Sequence, residues 1–413
     1  MNSNKQNLFF FFPYRGVGGV PVLFLRLAHH IETLDIYNIY LIDYDDGYMS
    51  ENYDKSKSIT FIKYSPQDNI NFKDDDIVVF QSMPLWGMPP NLIFSDKTKL
   101  IYWNLHPYNM FGYASSIGKR FKNEFVQTIV KLIFRYVIYG KDRKAVRVFD
   151  RKKSIFYMDG ENFEQTRRWL NVKLQNELYL PLIVDNIENI KTQYNPNHKD
   201  LNCIWIGRIG DFKVHILIYV LKKLNELAEK NNLNIKFLIA GMGEFLELLK
   251  ESVKDLDKIT INYVDYIAPD NLKDYLREMD IGFAMGTAAL DLAKYGLPTV
   301  LLDFAYENIE DDYKFDWIYN TKNYTLGREI SSRLCEKDNQ SLENIMHELS
   351  DNFQSVSCKS FEYVNNSFNI QDNVLKFLEL VQNADLMYSD LDKSYFKMNM
   401  LHNIIGAKKY YND

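Results

Sequence analysis

The chain contains few cysteines and no long apolar stretch. These two features argue against a disulfide-stabilised protein and against a membrane-spanning one. Its 413 residues include three cysteines, Cys203, Cys335 and Cys358, and no Cys-x-x-Cys pair. This usage argues against a disulfide framework and favours a reducing compartment. No run of 18 apolar residues occurs, so no transmembrane helix is expected. The apolar stretch at 8–12 lacks a following cleavage site and predicts a first strand rather than a signal peptide. We therefore expect a cytoplasmic protein.

The chain also lacks an excess of positive charge, except in one segment. The net charge is −6 and no recognised nucleic-acid motif occurs, so we expect no nucleic-acid partner. Residues 119–153 hold twelve Lys and Arg against three acids, which gives this segment a charge of +9. Within it, 125–140 is an apolar helical pattern that carries Lys131 and Arg135. Such a helix can lie on an anionic membrane surface, or its apolar side can be core and its basic side solvated.

The length and the order of elements predict two α/β domains. Apolar cores usually divide beyond about 250–300 residues. The chain opens with a strand at 8–12, a glycine-rich turn at 14–20, a helix at 21–34 and a strand at 36–42, as at the start of a doubly wound sheet. A polar stretch after Val184 places the domain boundary near residue 185. Further strands are predicted at Thr60–Lys63, Ile77–Phe80, Lys99–Trp103, Ser154–Met158, Cys203–Ile206, Phe237–Ala240 and Ile259–Tyr263. Amphipathic helices are predicted at 370–382 and 398–409.

The segment 280–303 carries a strand, a tight turn, a helix and a second strand. Ile281–Ala284 is an apolar run typical of a buried parallel strand, and Gly286-Thr287 allows a sharp turn close to a ligand. A helix at 288–295 would then present its N-terminus, which favours phosphate. Asp291 lies about one turn into this helix, within reach of a sugar hydroxyl. Many α/β proteins contain the same unit and bind nothing there.

Polar side chains follow two other predicted strands. His106 comes directly after the strand that ends at Trp103, at the strand end where ligands collect in open α/β sheets, although a single histidine can also be structural. Arg208 and Lys213 follow the first strand of the second domain. They can bind a diphosphate, Arg208 as a bidentate fork and Lys213 as a point charge, or they can form a surface ion pair with Asp211.

Four segments together resemble the GT-B glycosyltransferases, in particular glycosyltransferase family 4. They are VGGV at 17–20, GRIGDFK at 207–213, LIAGMGE at 238–244 and LDLAKYGLPTV at 290–300. The resemblance implies two Rossmann-like domains facing a cleft, with C-terminal helices. It implies an acceptor-binding domain at 1–185, a nucleotide-sugar domain at 186–383 and a tail at 384–413 that packs back on the first domain.

The resemblance also implies roles for individual residues. Arg208 and Lys213 would neutralise the donor diphosphate, Asp291 would bind the ribose, and His106 would assist transfer with retention of configuration. The remaining donor-site positions would be Gly18, Gly19, Gly241, Gly243, Tyr266, Ile267, Gly286 and Thr287. The chain departs from the family at Phe283, where the first glutamate of the Glu-x7-Glu pair would stand.

These observations predict a metal-independent hexosyltransferase. It would move a sugar from a nucleoside diphosphate sugar, with UDP favoured, to a surface-glycan or lipid-linked acceptor. No other cofactor and no metal are expected, because the acidic runs at 45–46 and 74–76 have the character of solvated loop residues and not of metal ligands. The protein would be cytoplasmic or peripheral on the inner face of the plasma membrane. Two alternatives stay open: a nucleotide-sugar 2-epimerase and a non-catalytic glycan- or nucleotide-binding module.

Overall fold

The structure is a computed structural model of the chain. It describes residues 5–16, 18–106, 108–111, 129, 132, 138–185, 187–190, 200–309, 313–330, 339–398 and 402. The chain divides into two units, Met1–Ile183 with Ile370–Asp413, and Val184–Asn369. Each unit has its own sheet of six strands. The α/β class and the two Rossmann-like bodies predicted from the sequence are confirmed.

The first unit is built on a parallel sheet with strand order β3-β2-β1-β5-β7-β8. A separate pair, β4 with β6, is also parallel. The strands are β1 (Gln6–Phe11), β2 (Tyr37–Asp43), β3 (Ile59–Lys63), β4 (Ile70–Asn71), β5 (Ile77–Gln81), β6 (Leu92–Ile93), β7 (Lys99–Asn104) and β8 (Ile155–Tyr157). The helices are α1 (Gly19–Thr33), α2 (Tyr48–Asn52), α3 (Gly140–Arg151) and α4 (Gly160–Leu170).

Strand β1 shows why this sheet needs no polar alternation. Successive side chains of a strand point to opposite faces of the sheet, and both faces here are covered. Phe9 and Phe11 therefore join one buried cluster, while Leu8 and Phe10 join another on the opposite face. The continuous apolar run is the direct result of two cores sharing one strand.

The second unit repeats the arrangement, with strand order β11-β10-β9-β12-β13-β14. All pairs are parallel except β13 with β14, which is antiparallel. The strands are β9 (Asp200–Ile206), β10 (Asn234–Ala240), β11 (Ile259–Val264), β12 (Ile281–Ala284), β13 (Thr299–Leu301) and β14 (Asp316–Trp317). The helices are α5 (Asp211–Asn231), α6 (Leu246–Val253), α7 (Pro269–Leu276), α8 (Thr287–Ala293) and α9 (Leu342–Phe368).

The chain returns to the first unit earlier than the sequence suggested. Helix α10 (Ile370–Asn383) belongs to the first unit, whereas the tail was expected to begin at 384. Its apolar side has residues at helical spacing, and these enter the buried cluster around Phe10 and Phe24. The rings of Phe377 and Phe10 stack with centroids 6.0 Å apart. The helix is amphipathic as predicted, but the apolar surface that it covers lies far away in the sequence.

Two sequence predictions fall partly or wholly outside the described residues. Of the basic segment 119–153, the structure describes Ile129, Leu132 and 138–153. Of the final helix predicted at 398–409, it describes Met398 and His402. No helix among the described parts of the chain combines the length and apolar character that crossing a bilayer requires.

Candidate functional site

The candidate site is built on the carboxyl ends of four neighbouring parallel strands in the second unit, β11, β10, β9 and β12. Strand β9 has β10 on one side and β12 on the other, so the direction of the strand order reverses there. Loops that follow strands at such a switch point diverge and leave room for a ligand. The segment 207–213 begins at this point.

The loops after β9 and β10 pack against each other through glycine. The Gly207 amide donates to the carbonyl of Ala240 at 3.0 Å, and the Ile209 amide donates to that of Met242 at 2.9 Å. A Cβ on Gly241 would lie 2.0 Å from the carbonyl oxygen of Gly207, and Gly241 has φ +151. A Cβ on Gly243 would lie 2.1 Å from the carbonyl oxygen of Ile209. In the structure, Gly241 and Gly243 allow the close approach of two backbones.

Lys213 lies in the first turn of α5, where its side chain is half-buried. An added Cβ on Gly207 would come within 3.4 Å of Nζ, which also lies 5.6 Å from the centroid of the Phe212 ring. Among the described residues, no side chain or carbonyl accepts a hydrogen bond from Nζ, and no carboxylate pairs with it. Burial lowers the pKa of Lys213, because desolvation penalises the charged form.

Arg208 is exposed and forms an ion pair, but with a different partner from the one considered in the sequence. Its Nη2 lies 3.0 Å from Oε2 of Glu244, and its Nε donates to the same oxygen at 3.3 Å. The side chain of Arg208 is 76% exposed and that of Glu244 is 50% exposed. Hydrogen bonds within Glu244 itself and from Arg208 lower the pKa of Glu244. An exposed pair of this kind contributes little stability, so an anionic ligand can replace Glu244.

The turn between β12 and α8 is as tight as the sequence predicted, but the Gly286 amide already donates a hydrogen bond within the protein. It donates to the carbonyl of Leu326 at 2.7 Å. Gly286 has φ +61, and an added Cβ would meet no atom within 4 Å, so this face of the glycine is open. Thr287 and Ala288 then supply the first helical amides, and neither donates to a backbone carbonyl of a described residue. The Gly286 amide therefore already has an acceptor, and the role of Gly286 in the donor site stays a prediction.

Three other predicted donor-site residues differ in their environments. Asp291 is 45% exposed and pairs with Lys294, whose Nζ lies 3.1 Å from Oδ1. Tyr266 is 73% exposed, so its ring is free to contact a ligand, but the neighbouring Ile267 is buried. The contact of the loop at 266–267 with a nucleobase stays a prediction, and the exposed ring of Tyr266 is the side chain available for it.

Phe283 stands at the position where the resemblance noted in the sequence would place a glutamate. The residue is fully buried in strand β12, and its ring lies 5.9 Å from that of Phe237. A carboxylate at this position would be desolvated in an apolar core, at a large cost in stability. The local register of the strand therefore excludes an acid at 283.

The predicted glycine loop of the first unit is held to the sheet by Asp43. This buried carboxylate accepts hydrogen bonds from the amides of Tyr14 at 2.7 Å, Tyr44 at 2.8 Å and Met49 at 2.9 Å. Burial nevertheless raises the pKa of Asp43, against the effect of these hydrogen bonds. Gly18 caps α1 in an extended conformation, and a Cβ on Gly19 would meet open space. Val17 lies outside the described residues.

His106 follows β7 in the first unit, as predicted, and the residue is exposed. The Tyr108 amide donates to its Nδ1 at 3.2 Å, and the two rings lie 5.5 Å apart. Although the side chain is exposed, the atoms crowded around the ring desolvate it partly and lower the pKa of His106. The strand and turn fix the ring at the carboxyl edge of the sheet.

The acidic runs have ordinary structural partners. Asp45 pairs with Lys63 and Asp46 with Arg15. Asp76 is buried and accepts from the Asn7 amide group and the Lys73 backbone amide, each at 2.8 Å, so describing it as solvated was wrong. Among the described residues, no three His, Cys, Asp or Glu side chains are grouped to hold a metal ion.

A buried acid, Asp159, lies at the N-terminus of α4. Asp159 accepts from the backbone amide of Asn162 at 2.8 Å and from its side-chain amide at 2.7 Å. Burial raises the pKa of Asp159 to about 6 in spite of these hydrogen bonds. The Asp-x-x-Asn spacing of a helix cap was the sequence signal for this arrangement.

Comparison with known proteins gives a likeness of structure. No protein-family model and no curated protein sequence matches the chain. The lipopolysaccharide outer core galactosyltransferase WaaB matches with a TM-score of 0.52 at 10% identity, over 91% of this chain and 99% of WaaB. The chain has the GT-B fold.

Two further GT-B neighbours match with lower scores. WaaG, a glycosyltransferase of lipopolysaccharide biosynthesis, gives a TM-score of 0.45 at 13% identity, over 96% of this chain and 99% of WaaG. A mutant form of S. aureus TarM gives a TM-score of 0.40 at 13% identity, over 86% of this chain. The chain spans 58% of the length of TarM.

Proposed function

We propose that this protein is a glycosyltransferase whose second unit binds a nucleoside diphosphate sugar. The observation that carries the proposal is the half-buried ammonium of Lys213, which pairs with no described carboxylate and lies against Gly207 at the switch point of the sheet. A partly desolvated cation without a counter-ion costs stability unless a bound anion compensates for it. The neighbour with the matching fold, WaaB, is a galactosyltransferase, which is the reaction class proposed here.

The chemistry needs positive charge where the leaving group develops its negative charge. In glycosyl transfer from such a donor, the bond between the sugar and the diphosphate breaks, and the diphosphate leaves as an anion. Lys213 would provide a point charge, and Arg208 would exchange Glu244 for a bidentate contact with phosphate. With both cations in place, we propose that a metal ion is not required. Tyr266 would contact the base, and Asp291 the ribose.

The first unit would bind the acceptor, which we propose to be a surface glycan or a lipid-linked precursor. The glycine loop at 18–19 and His106 both follow strands of its sheet at the carboxyl edge. Transfer would proceed with retention of configuration, as the family resemblance implies. UDP is the favoured nucleotide, and the sugar would be a hexose.

The basic segment of the first unit suggests that this unit has an anionic partner. On α3, Lys144, Arg147 and Arg151 are exposed at spacings of three and four residues, so they share one side of the helix. The two acids of the helix, Asp142 and Asp150, are buried instead. We propose that this basic side contacts an anionic membrane surface, which would place the protein at the inner face of the plasma membrane.

A nucleotide screen followed by a transfer assay tests the proposal. We expect UDP to raise the melting temperature more than GDP, ADP, CMP or dTDP, because a ligand that binds only the folded state stabilises it. The variants Arg208→Ala and Lys213→Ala should fold, lose this shift and lose transfer from the donor to an added acceptor extract. Wild-type turnover in both variants would contradict the assignment.

Phe283 favours a second candidate, a module that binds a nucleotide sugar without transferring it. The acid pair of the resembling family is incomplete, because the fully buried Phe283 stands where its first member would be. Such a module would show the same shift with UDP. It would neither hydrolyse UDP-glucose or UDP-N-acetylglucosamine nor pass the sugar to an acceptor.

A further inference from the structure

The indole of Trp205, in strand β9, lies in the core of the second unit with its N–H unused. The residue is 1% exposed, and among the described residues no atom accepts a hydrogen bond from Nε1. By contrast, Nε1 of the equally buried Trp103 donates to the carbonyl of Leu180 at 2.9 Å. Nε1 of Trp317, in the same unit as Trp205, donates to Oε2 of Glu348 at 2.9 Å. Since a buried donor without an acceptor costs stability, the N–H of Trp205 indicates an acceptor from outside the folded chain.

The edge of this indole borders the same small space as the Lys213 ammonium. That space lies beside Gly207, where an added Cβ would be 3.5 Å from Cη2 and 3.6 Å from Cζ2 of Trp205. The same added Cβ would be 3.4 Å from Nζ of Lys213. Gly207 has φ +143, a conformation that favours glycine, so the space stays clear of a side chain. Cζ2 is bonded to the ring carbon that carries Nε1, so the N–H belongs to the edge of the indole nearest this space.

Both groups that border this space favour an anion. The ammonium of Lys213 is partly desolvated, which lowers its pKa, and no described carboxylate counteracts this effect. The edge of an aromatic ring carries partial positive charge, and the edge of an indole also carries the polar N–H. A cation and a positive ring edge do not attract each other. An anion between them would interact favourably with both groups, and a phosphate oxygen is an acceptor of this kind.

We propose that Trp205 is a further binding residue for the diphosphate, and that its indole N–H donates to a phosphate oxygen that the Lys213 ammonium also contacts. This inference rests on the proposed function for the identity of the ligand. The Lys213 side chain would first move away from Gly207, because the structure encloses Nε1 of Trp205. Such a movement breaks no ion pair with a described carboxylate. The oxygen would then be held by one charged and one neutral donor.

The indole N–H signals of the full chain test this contact directly. The chain has five tryptophans, and the signal of Trp205 is the one that disappears in Trp205→Phe. If this variant does not fold, phenylalanine variants of the other four tryptophans identify the signal by elimination. In ¹⁵N–¹H correlation spectra of the wild type, we expect UDP to move the Trp205 signal downfield, because the N–H gains an acceptor. Trp317 already donates to Glu348, so its signal is the internal control and should stay in place.

Further probes and variants separate the anion from the nucleoside and binding from stability. Inorganic pyrophosphate should also move the Trp205 signal, whereas uridine, which has no phosphate, should leave it unchanged. In Lys213→Met, neither UDP nor pyrophosphate should move the signal at concentrations that saturate the wild type. Trp205→Phe keeps an aromatic ring without the N–H, and its UDP affinity should fall about tenfold, as expected for one lost hydrogen bond to a charged oxygen. The matched control Trp317→Phe removes an equally buried N–H and should bind UDP like the wild type.

The possible results distinguish the role of Trp205 from the proposed function. If UDP binds and the Trp205 signal stays in place, or if Trp205→Phe binds UDP as tightly as the wild type, Trp205 is not a donor to the ligand and the proposed function stands. Equal movement of the Trp205 and Trp317 signals would indicate a change of the whole unit and would also overturn this role. If pyrophosphate moves the signal and UDP does not bind, the anion contact stands and the nucleotide is wrong. If neither binds, the contact and the proposed function both fail.

Discussion

The Lys213 ammonium lies against Gly207, close enough that a Cβ on the glycine would come within 3.4 Å of Nζ. Any side chain at 207 would fill the space beside this cation, and the φ of +143 at Gly207 disfavours one as well. Because position 207 is a glycine, one side of the Lys213 ammonium stays accessible. The packing of α5 on the sheet partly desolvates the other side of the Lys213 side chain. A cation that no described carboxylate balances is, in this setting, suited to binding an anion.

Replacing Lys213 by Met should weaken UDP binding and leave the fold intact. Met has a similar volume, and it removes a partly desolvated charge that no described carboxylate balances, so stability at neutral pH should be unchanged or higher. Binding of UDP should fall by about tenfold or more. Calorimetric titration with UDP and thermal unfolding of the same samples give the two quantities. A variant that unfolds more easily and binds UDP normally would indicate a structural lysine.

The pH dependence of stability provides a separate check on Lys213. The pKa of Lys213 in the folded protein is lowered from its ordinary value of 10.5. At a pH between the lowered pKa and 10.5, the unfolded chain therefore binds a proton at Lys213 that the folded protein does not. The contribution to stability is therefore present above pH 10.5 and is lost as the pH falls through the lowered pKa. Urea unfolding of wild type and Lys213→Met across the alkaline range should show a steeper rise with pH in the wild type.

The two glycines at the ends of β10 and β12 should respond differently to alanine. Gly241→Ala places a Cβ 2.0 Å from the Gly207 carbonyl oxygen at φ +151, and it should cost at least about 3 kcal/mol of unfolding free energy. Gly286→Ala enters open space at φ +61 and ψ −142, a backbone conformation that essentially only glycine adopts, and this strain alone should cost about 1–3 kcal/mol. Denaturant unfolding of both variants measures the difference. Equal effects would mean that the loops after β9 and β10 are not packed as described.

We expect Arg208 to pair with Glu244 only when no ligand is bound, and to exchange this carboxylate for the phosphate of the ligand. Glu244→Gln removes the competing carboxylate, so UDP affinity should stay the same or rise, with little change in melting temperature. Arg208→Gln should lower UDP affinity by about tenfold. Binding titrations in low salt, where exposed charges are least screened, compare the two variants. Loss of binding in Glu244→Gln would show that the acid itself contacts the ligand.

Asp159 should make the protein less stable as the pH rises from 4 to 6. Its pKa is about 6 in the folded protein against 3.8 as the ordinary value, so the folded state holds its proton longer. The stability from this group is present below pH 3.8 and is lost as the pH rises through 6, by up to about 3 kcal/mol. Asp159→Asn can still cap the helix and should remove this slope. Urea midpoints between pH 4 and 7 give the measurement, and parallel slopes in the two proteins would contradict it.

Local patterns were enough to predict the strands and the strand-end residues, but not the partners of those residues. The apolar runs of β1 and β12 are long enough to indicate buried strands, and the residues that follow them lie at the carboxyl edge by geometry alone. Glu244 is 36 residues from Arg208, so only the adjacent pairing of β9 with β10 brings the two together. The hydrogen bond from Gly286 to Leu326 likewise depends on a chain segment that carries no motif. Periodicity shows which side of α10 is apolar, but not which of two cores it covers.

The basic side of α3 should bind anionic membranes through charge alone. Lys144, Arg147 and Arg151 are exposed on one side of the helix, and among the described residues no carboxylate forms an ion pair with any of them. The triple variant K144E/R147E/R151E should lose sedimentation with vesicles of phosphatidylglycerol and phosphatidylcholine, because each surface cation adds about 1 kcal/mol to such binding. The matched control K250E/K254E/K258E changes the net charge equally on the second unit and should bind like the wild type. If both triple variants lose vesicle binding equally, the effect comes from net charge and not from the basic side of α3. If the wild type also binds vesicles of phosphatidylcholine alone, binding depends on apolar insertion and not on charge.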